Sequence, residues 1–115
     1  MHELSIALEV VNLLEQQAAI LERITQVNLA IGALSCIEPE ALKTALEVAT
    51  RGTLAEGARL TFEFIPAAAR CDDCQGEFEP DSRIEPCPLC GSPRKTWLAG
   101  QELRIRSLEG VARPD

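Results

Sequence analysis

Apolar residues at Leu4, Ala7, Leu8, Val11, Leu14, Ala18 and Leu21 recur at the three-and-four spacing of a single helix face, which predicts a first helix over 4–21. From Ile24 to Leu34 the period changes to two. Val27, Leu29, Ile31 and Ala33 alternate with Gln26, Asn28, Ala30 and Gly32, as expected for a strand with one buried face. Pro39 then stands where the first turn of a helix tolerates its missing N–H. Leu42, Ala45, Leu46 and Ala49 form the inner stripe of that second helix, and Gly52 is its expected stop. After a turn at Ala55-Glu56-Gly57, Leu60, Phe62 and Phe64 alternate with Arg59, Thr61 and Glu63 in a second strand that Pro66 ends. Alternation returns over Glu102–Glu109 in a third strand, and the residues after Gly110 read as a free tail.

Between Pro66 and Ala99 the pattern fails. This segment holds four of the five cysteines and five of the seven prolines but few aliphatic residues, so it lacks the material for a core of its own. The final strand therefore reads as a return to the first sheet around an insertion. The predicted fold is α/β (α+β): two helices packed on a three-stranded sheet, with an inserted zinc-ribbon-like module. The expected division is 1–65 plus 101–115 for the α/β domain and 66–100 for the module. Ala67-Ala68-Ala69, at the module's entry, reads as a hinge or strand edge.

The insertion carries the strongest chemical signal. Cys71 and Cys74 form one Cys-x-x-Cys pair and Cys87 and Cys90 another, separated by twelve residues. Two such knuckles facing each other supply the four thiolates that a structural zinc ion prefers, and four protein ligands leave no open position for activating water. Gly76 and Gly91 stand where each knuckle is expected to need a positive φ. Metal binding in small modules is worth on the order of 10 kcal/mol, so residues 66–99 are expected to depend on zinc for their order. The other readings of the cysteines are buried thiols or two redox pairs. Cys36 stands alone and reads as a small buried hydrophobe, and Trp97 as an apolar cover beside the module.

Composition narrows the function. In 115 residues, 46% are hydrophobic and only 3% aromatic, so aliphatic packing must carry the core. The net charge of −7 disfavours nucleic acid as a partner. The cysteine-bearing segment is acidic too, with Arg70, Arg83, Arg94 and Lys95 against six carboxylates. A zinc-ribbon module contacting protein or nucleic acid remains the alternative reading of the whole chain. No membrane span and no signal-peptide pattern are visible, which predicts a cytoplasmic protein with no membrane partner. No Ser or Cys nucleophile has a nearby His, and no Gly-rich phosphate loop is present, so an enzyme is not expected.

The single histidine is His2. Beside an amino terminus, the Met1 amine, the His2 backbone nitrogen and imidazole, and a backbone nitrogen or the carboxylate of Glu3 make a nitrogen-rich donor set. Such a set suits nickel(II) or copper(II) better than zinc. The residues alone equally allow a solvated His2, with Glu3 favouring the helix N-terminus through its dipole.

Met1-His2-Glu3 at the start, together with Cys71-x-x-Cys74 and Cys87-x-x-Cys90, resembles the HypA/HybF family of hydrogenase nickel-incorporation proteins. Ile31-Gly32-Ala33-Leu34-Ser35 with Ile37-Glu38-Pro39-Glu40, and Arg51 through Ala58, are similar to the family's connections, so the likeness spans nearly the whole chain. It implies a nickel metallochaperone that assists insertion of Ni(II) into the large subunit of [NiFe] hydrogenase, with a HypB-type GTPase as partner. Nickel would be held at Met1, His2 and Glu3, and zinc by Cys71, Cys74, Cys87 and Cys90. One departure is that no histidine flanks the cysteines here, so any coupling between the two metals is expected through Pro66–Arg70 or Leu98–Glu102. The chain is compatible with a monomer or a homodimer.

Overall fold

The computed structural model describes residues 2–114, with the backbone only for His2. Among them the elements run α1 (His2–Glu15), β1 (Leu21–Gly32), α2 (Pro39–Ala49), β2 (Arg59–Ile65), β3 (Ala68–Cys71), β4 (Glu77–Phe78), β5 (Lys95–Ala99) and β6 (Leu103–Ala112). The strands form two three-stranded sheets, ordered β2-β1-β6 and β4-β3-β5. The expected fold class is found: two helices, a three-stranded sheet, and a cysteine module inserted before the strand that returns to it.

The first sheet is mixed. Asn28 accepts from the Thr61 hydroxyl and the Ala33 N–H donates to the Ile65 carbonyl at 2.9 Å, so β1 and β2 advance together and are parallel. Gly32 N–H donates to Glu102 O at 2.7 Å and Arg113 N–H to Ile20 O at 3.0 Å, so β6 runs against β1. A parallel pair needs a crossover, and α2 supplies it.

The chain folds as two compact units. The first comprises residues 1–29, 37–62 and 105–115, and the second residues 30–36 and 63–104. In the first unit α1 packs against α2. Its buried side chains include Ala7, Val10 and Leu14 of α1, Leu42 and Leu46 of α2, and Ile24, Val27 and Leu29 of β1. Each fully buried Leu or Ile contributes about 1.5–3 kcal/mol of transfer free energy. Glu38 caps α2, its carboxylate accepting from the N–H groups of Glu40 at 3.3 Å and Ala41 at 2.7 Å, with Pro39 following at the first helical position.

In the second unit the buried apolar residues are Ala30, Ile31, Leu34, Ala67, Ala69, Cys71 and Cys87, which are smaller on average. Backbones come very close here: a Cβ on Gly32 would lie 2.2 Å from the Gly100 carbonyl, and one on Gly100, at φ +109°, would lie 2.6 Å from Ala67 Cα. Only glycine fits that crossing.

Several expectations are corrected. The first helix ends at Glu15 rather than Leu21, because Gln16–Ile20 fold into successive turns, with Gln17 and Ala18 N–H groups donating back to Leu14 and Glu15, and Leu21 opens β1. Ala18 and Leu21 matched the helical spacing without belonging to the helix. The segment after Gly110 is not a free tail up to Arg113: β6 runs to Ala112, and the Arg113 N–H is bonded to Ile20. Ala68 and Ala69 are neither hinge nor strand edge but part of β3, the central strand of the second sheet; Ala69 is fully buried opposite Phe78 on one side and Trp97 on the other.

Candidate metal centre

Two short chain segments of matching construction bring the cysteines together. In the first, the Gln75 N–H donates to Cys71 O at 3.0 Å and the Cys71 N–H to Gly76 O at 2.8 Å; in the second, the Gly91 N–H donates to Cys87 O at 2.8 Å and the Cys87 N–H to Ser92 O at 2.9 Å. Each knuckle thus closes on itself four and five residues on. The residue after each second cysteine takes a positive φ, +66° at Gln75 and +78° at Gly91. The strained position in the first knuckle is therefore Gln75, not Gly76 as the glycine pattern suggested. At Gly76 a Cβ would come 2.5 Å from Leu89 Cδ1, the end of an exposed side chain that is free to turn aside.

The four sulfur atoms all lie within 4.8 Å of one another, with Cys71 and Cys90 at 3.5 Å and Cys74 and Cys87 at 3.7 Å. A disulfide would bring two of them to about 2.05 Å. Four thiolates about 2.3 Å from one zinc in a tetrahedron stand about 3.8 Å apart, which is close to the spacing of these two pairs. The donor set and its size fit a single tetrahedral ion. Among the described residues this is the one cluster of His, Cys, Asp or Glu side chains arranged to hold a metal.

Backbone amides prepare the sulfurs. Cys74 N–H faces Cys71 Sγ at 3.5 Å and Leu89 N–H faces Cys87 Sγ at 3.4 Å. The Cys74 N–H is the main cause that brings the Cys71 thiol down to about 7. At Cys90 the Ser92 N–H favours the thiolate, but the sulfur of Cys71 and burial outweigh it and push the group up to about 12. Cys74 is likewise raised, the Gly76 N–H being outweighed by burial and the neighbouring sulfurs. Such a cluster shares protons among its sulfurs, and a bound cation displaces them. Cys71 and Cys87 are buried, whereas Cys74 and Cys90 reach the surface.

A feature not read from the sequence braces the two knuckles. Asp73, inside the first pair, accepts from the Ser92 hydroxyl on one carboxylate oxygen and from the Arg94 guanidinium on the other. The Arg94 N–H in turn donates to Ser92 Oγ at 3.2 Å. Hydrogen bonds from the Arg94 guanidinium and then from the Ser92 hydroxyl hold the Asp73 carboxyl below its ordinary range. The signal lay in the placement of an acid between two cysteines and of Ser and Arg just after the other pair.

The remaining site expectations fare differently. Met1 lies outside the described residues, as does the side chain of His2, whose backbone starts α1. Glu3 is half-buried, and its Oε2 accepts from the Glu38 N–H at 3.4 Å. Cys36 is exposed, not buried: it takes φ +60° in the turn after β1, and its neighbour Leu34 fills the apolar position instead. Trp97 is half-buried on β5, with Lys95 Nζ 5.8 Å from its ring centre. No helix among the described residues is long and apolar enough to cross a membrane.

An α/β fold in which four cysteine sulfurs from two knuckles gather into one cluster is the form of a small metal-binding protein. Comparison with known proteins makes the class specific. A model of the family described as HypA, "Hydrogenase/urease nickel incorporation, metallochaperone, hypA", matches residues 1–110, and the chain belongs to that family. It is 43% identical over 109 residues to the hydrogenase maturation factor HypA of Geobacter sp. strain M21, covering 95% of this chain and 98% of that one. With the factor of the same name from Azotobacter chroococcum mcd 1 it shares 46% over 111 residues, again covering 95% and 98%. The solution structure of the Ni metallochaperone HypA from Helicobacter pylori superposes with a TM-score of 0.73 at 26% identity, covering 96% of this chain and 98% of that chain. The family is one of metallochaperones in nickel incorporation, not of enzymes.

Proposed function

We propose that this protein carries Ni(II) and assists its insertion into the large subunit of [NiFe] hydrogenase, in the cytoplasm and in concert with a HypB-type GTPase. The observation that carries this reading is the match to the nickel-incorporation family from residue 1 to residue 110, which takes in both Met1-His2-Glu3 and the cysteine quartet. Nickel is the cargo, held by Met1, His2 and Glu3 through the terminal amine, backbone nitrogens and the His2 imidazole. Zinc is the resident ion, held by Cys71, Cys74, Cys87 and Cys90, and its task is structural. Residues 1–65 with 101–115 serve nickel, and residues 66–100 serve zinc.

The engagement of the Glu3 carboxylate by Glu38 supports a backbone contribution from Glu3. A site of amides and one imidazole at a chain end releases its ion when a competing donor displaces one ligand, without unfolding anything. Protons compete for the same nitrogens. Nickel affinity therefore falls as pH drops through the ordinary histidine value of about 6.5. The test is a calorimetric nickel titration of protein beginning at Met1. His2→Ala or an N-terminal extension should abolish the high-affinity event and leave zinc content unchanged; an unaltered titration in either would refute the assignment.

A further inference from the structure

We infer that Asp73, with Ser92 and Arg94, is a positioning device that sets how readily the four-cysteine site gives up its metal, an inference that rests on the zinc reading above. The geometry is specific. Asp73 belongs to the first knuckle, between Cys71 and Cys74, while Ser92 and Arg94 follow the second. Both carboxylate oxygens are used across the gap, one by the hydroxyl and one by the guanidinium. Ser92 is tied twice more: its carbonyl closes the second knuckle by accepting from Cys87 N–H at 2.9 Å, and its Oγ accepts from Arg94 N–H at 3.2 Å. The Asp73 carboxylate therefore pulls on the same residue that fixes Cys87. At the base, Asp72 N–H donates to Arg94 O at 3.1 Å and Thr96 donates to Asp72 Oδ1 at 2.7 Å, so the brace is anchored to the β3–β5 pairing.

The thiolates come in two pairs, each on its own knuckle, and an ion leaves only when the knuckles separate or a sulfur swings out. Cys74 and Cys90 are the exposed ligands, the ones a competing chelator meets first. The brace spans the knuckles beside them and opposes separation. Partners that orient metal ligands typically change metal affinity 10- to 100-fold when removed. An isolated exposed ion pair changes an equilibrium by less than about five-fold. Arg94 is 71% exposed and Asp73 38%, which argues for the lower end of the first range; the hydroxyl bridge and the shared Ser92 distinguish the brace from an isolated pair. The expected acceleration is roughly ten-fold.

The experiment follows zinc release from the purified full chain to a chromogenic chelator, for the parent, Asp73→Asn, Asp73→Ala, Arg94→Ala, Ser92→Ala and the double variant Asp73→Ala/Arg94→Ala. Zinc content is measured first. A parent that holds no zinc refutes the zinc reading itself, and the inference with it. With zinc present, release about ten-fold faster in Asp73→Ala, not increased further in Asp73→Ala/Arg94→Ala, establishes the brace. Added salt should speed release from the parent and not from Asp73→Asn. Cobalt-loaded variants should retain the charge-transfer bands of four thiolates, showing that geometry is held less firmly while the ligands stay. Release within five-fold of the parent in every variant, or fully additive effects, would overturn the inference. Should Asp73→Ala fail to load zinc, Ser92→Ala and Arg94→Ala decide it by the same threshold.

Discussion

The helical unit and the cysteine unit of this chain solve one problem by different means. In the first, Leu14, Ile24, Leu29, Leu42 and Leu46 are almost wholly removed from water, and their burial is sufficient reason for the fold. In the second, the best-buried side chains around the knuckles are Ala67, Ala69, Cys71 and Cys87, while Ile84 and Leu89 stand 87% and 74% exposed. Small side chains bury little area, so on the zinc reading proposed above coordination takes the place of aliphatic packing. The difference predicts that the order of the segment around the knuckles depends on a bound ion in a way that the helical unit's does not.

Chelation tests that contrast most severely. Removing the metal should cost the cysteine unit stabilisation on the order of 10 kcal/mol and abolish the dispersion of its amide resonances, while helical circular dichroism persists. Simultaneous loss of both signals would break the comparison. Next in size, Leu46→Ala should lower the unfolding free energy of the helical unit by about 2–5 kcal/mol in denaturant titration and leave zinc content at one ion per chain. Gly91→Ala forces a Cβ into a left-handed backbone and should cost about 1–2 kcal/mol in the cysteine unit alone, read from its hydrogen exchange. Smallest, Glu38→Ala removes the carboxylate cap of α2 and should cost about 1 kcal/mol in thermal unfolding, with no change in zinc release.

Much of this division was legible in the residues. The three-and-four pattern found both helices, because buried stripes such as Ala7, Leu14, Leu42 and Leu46 leave a periodic trace, although in α1 the stripe took in Leu4 and Leu8, which are exposed, and left out Val10, which is buried. Alternation found β1, β2 and β6, although Ala30, assigned to the polar face, is buried and Phe64, assigned to the apolar face, is exposed, and the two Cys-x-x-Cys pairs named the four side chains that the fold gathers into one cluster. Periodicity failed at Ala18 and Leu21, where two apolar residues fell at helical spacing across a turn. It also missed β3, β4 and β5, whose central strand reads Ala-Ala-Arg-Cys and has no large apolar residue to mark its buried face. Cys36 was misjudged because its type suggests burial, whereas the turn it occupies has Leu34 facing inward. The Asp73 brace was invisible because it joins residues that only the folded knuckles bring side by side.

The separation of cargo from structure can be examined in one measurement, nickel X-ray absorption on zinc-loaded protein beginning at Met1 and given one equivalent of Ni(II). Nickel bound at Met1-His2-Glu3 predicts a first shell of nitrogen and oxygen only, with imidazole scattering that disappears in His2→Ala. A shell containing sulfur, with zinc displaced from Cys71, Cys74, Cys87 and Cys90, would contradict it.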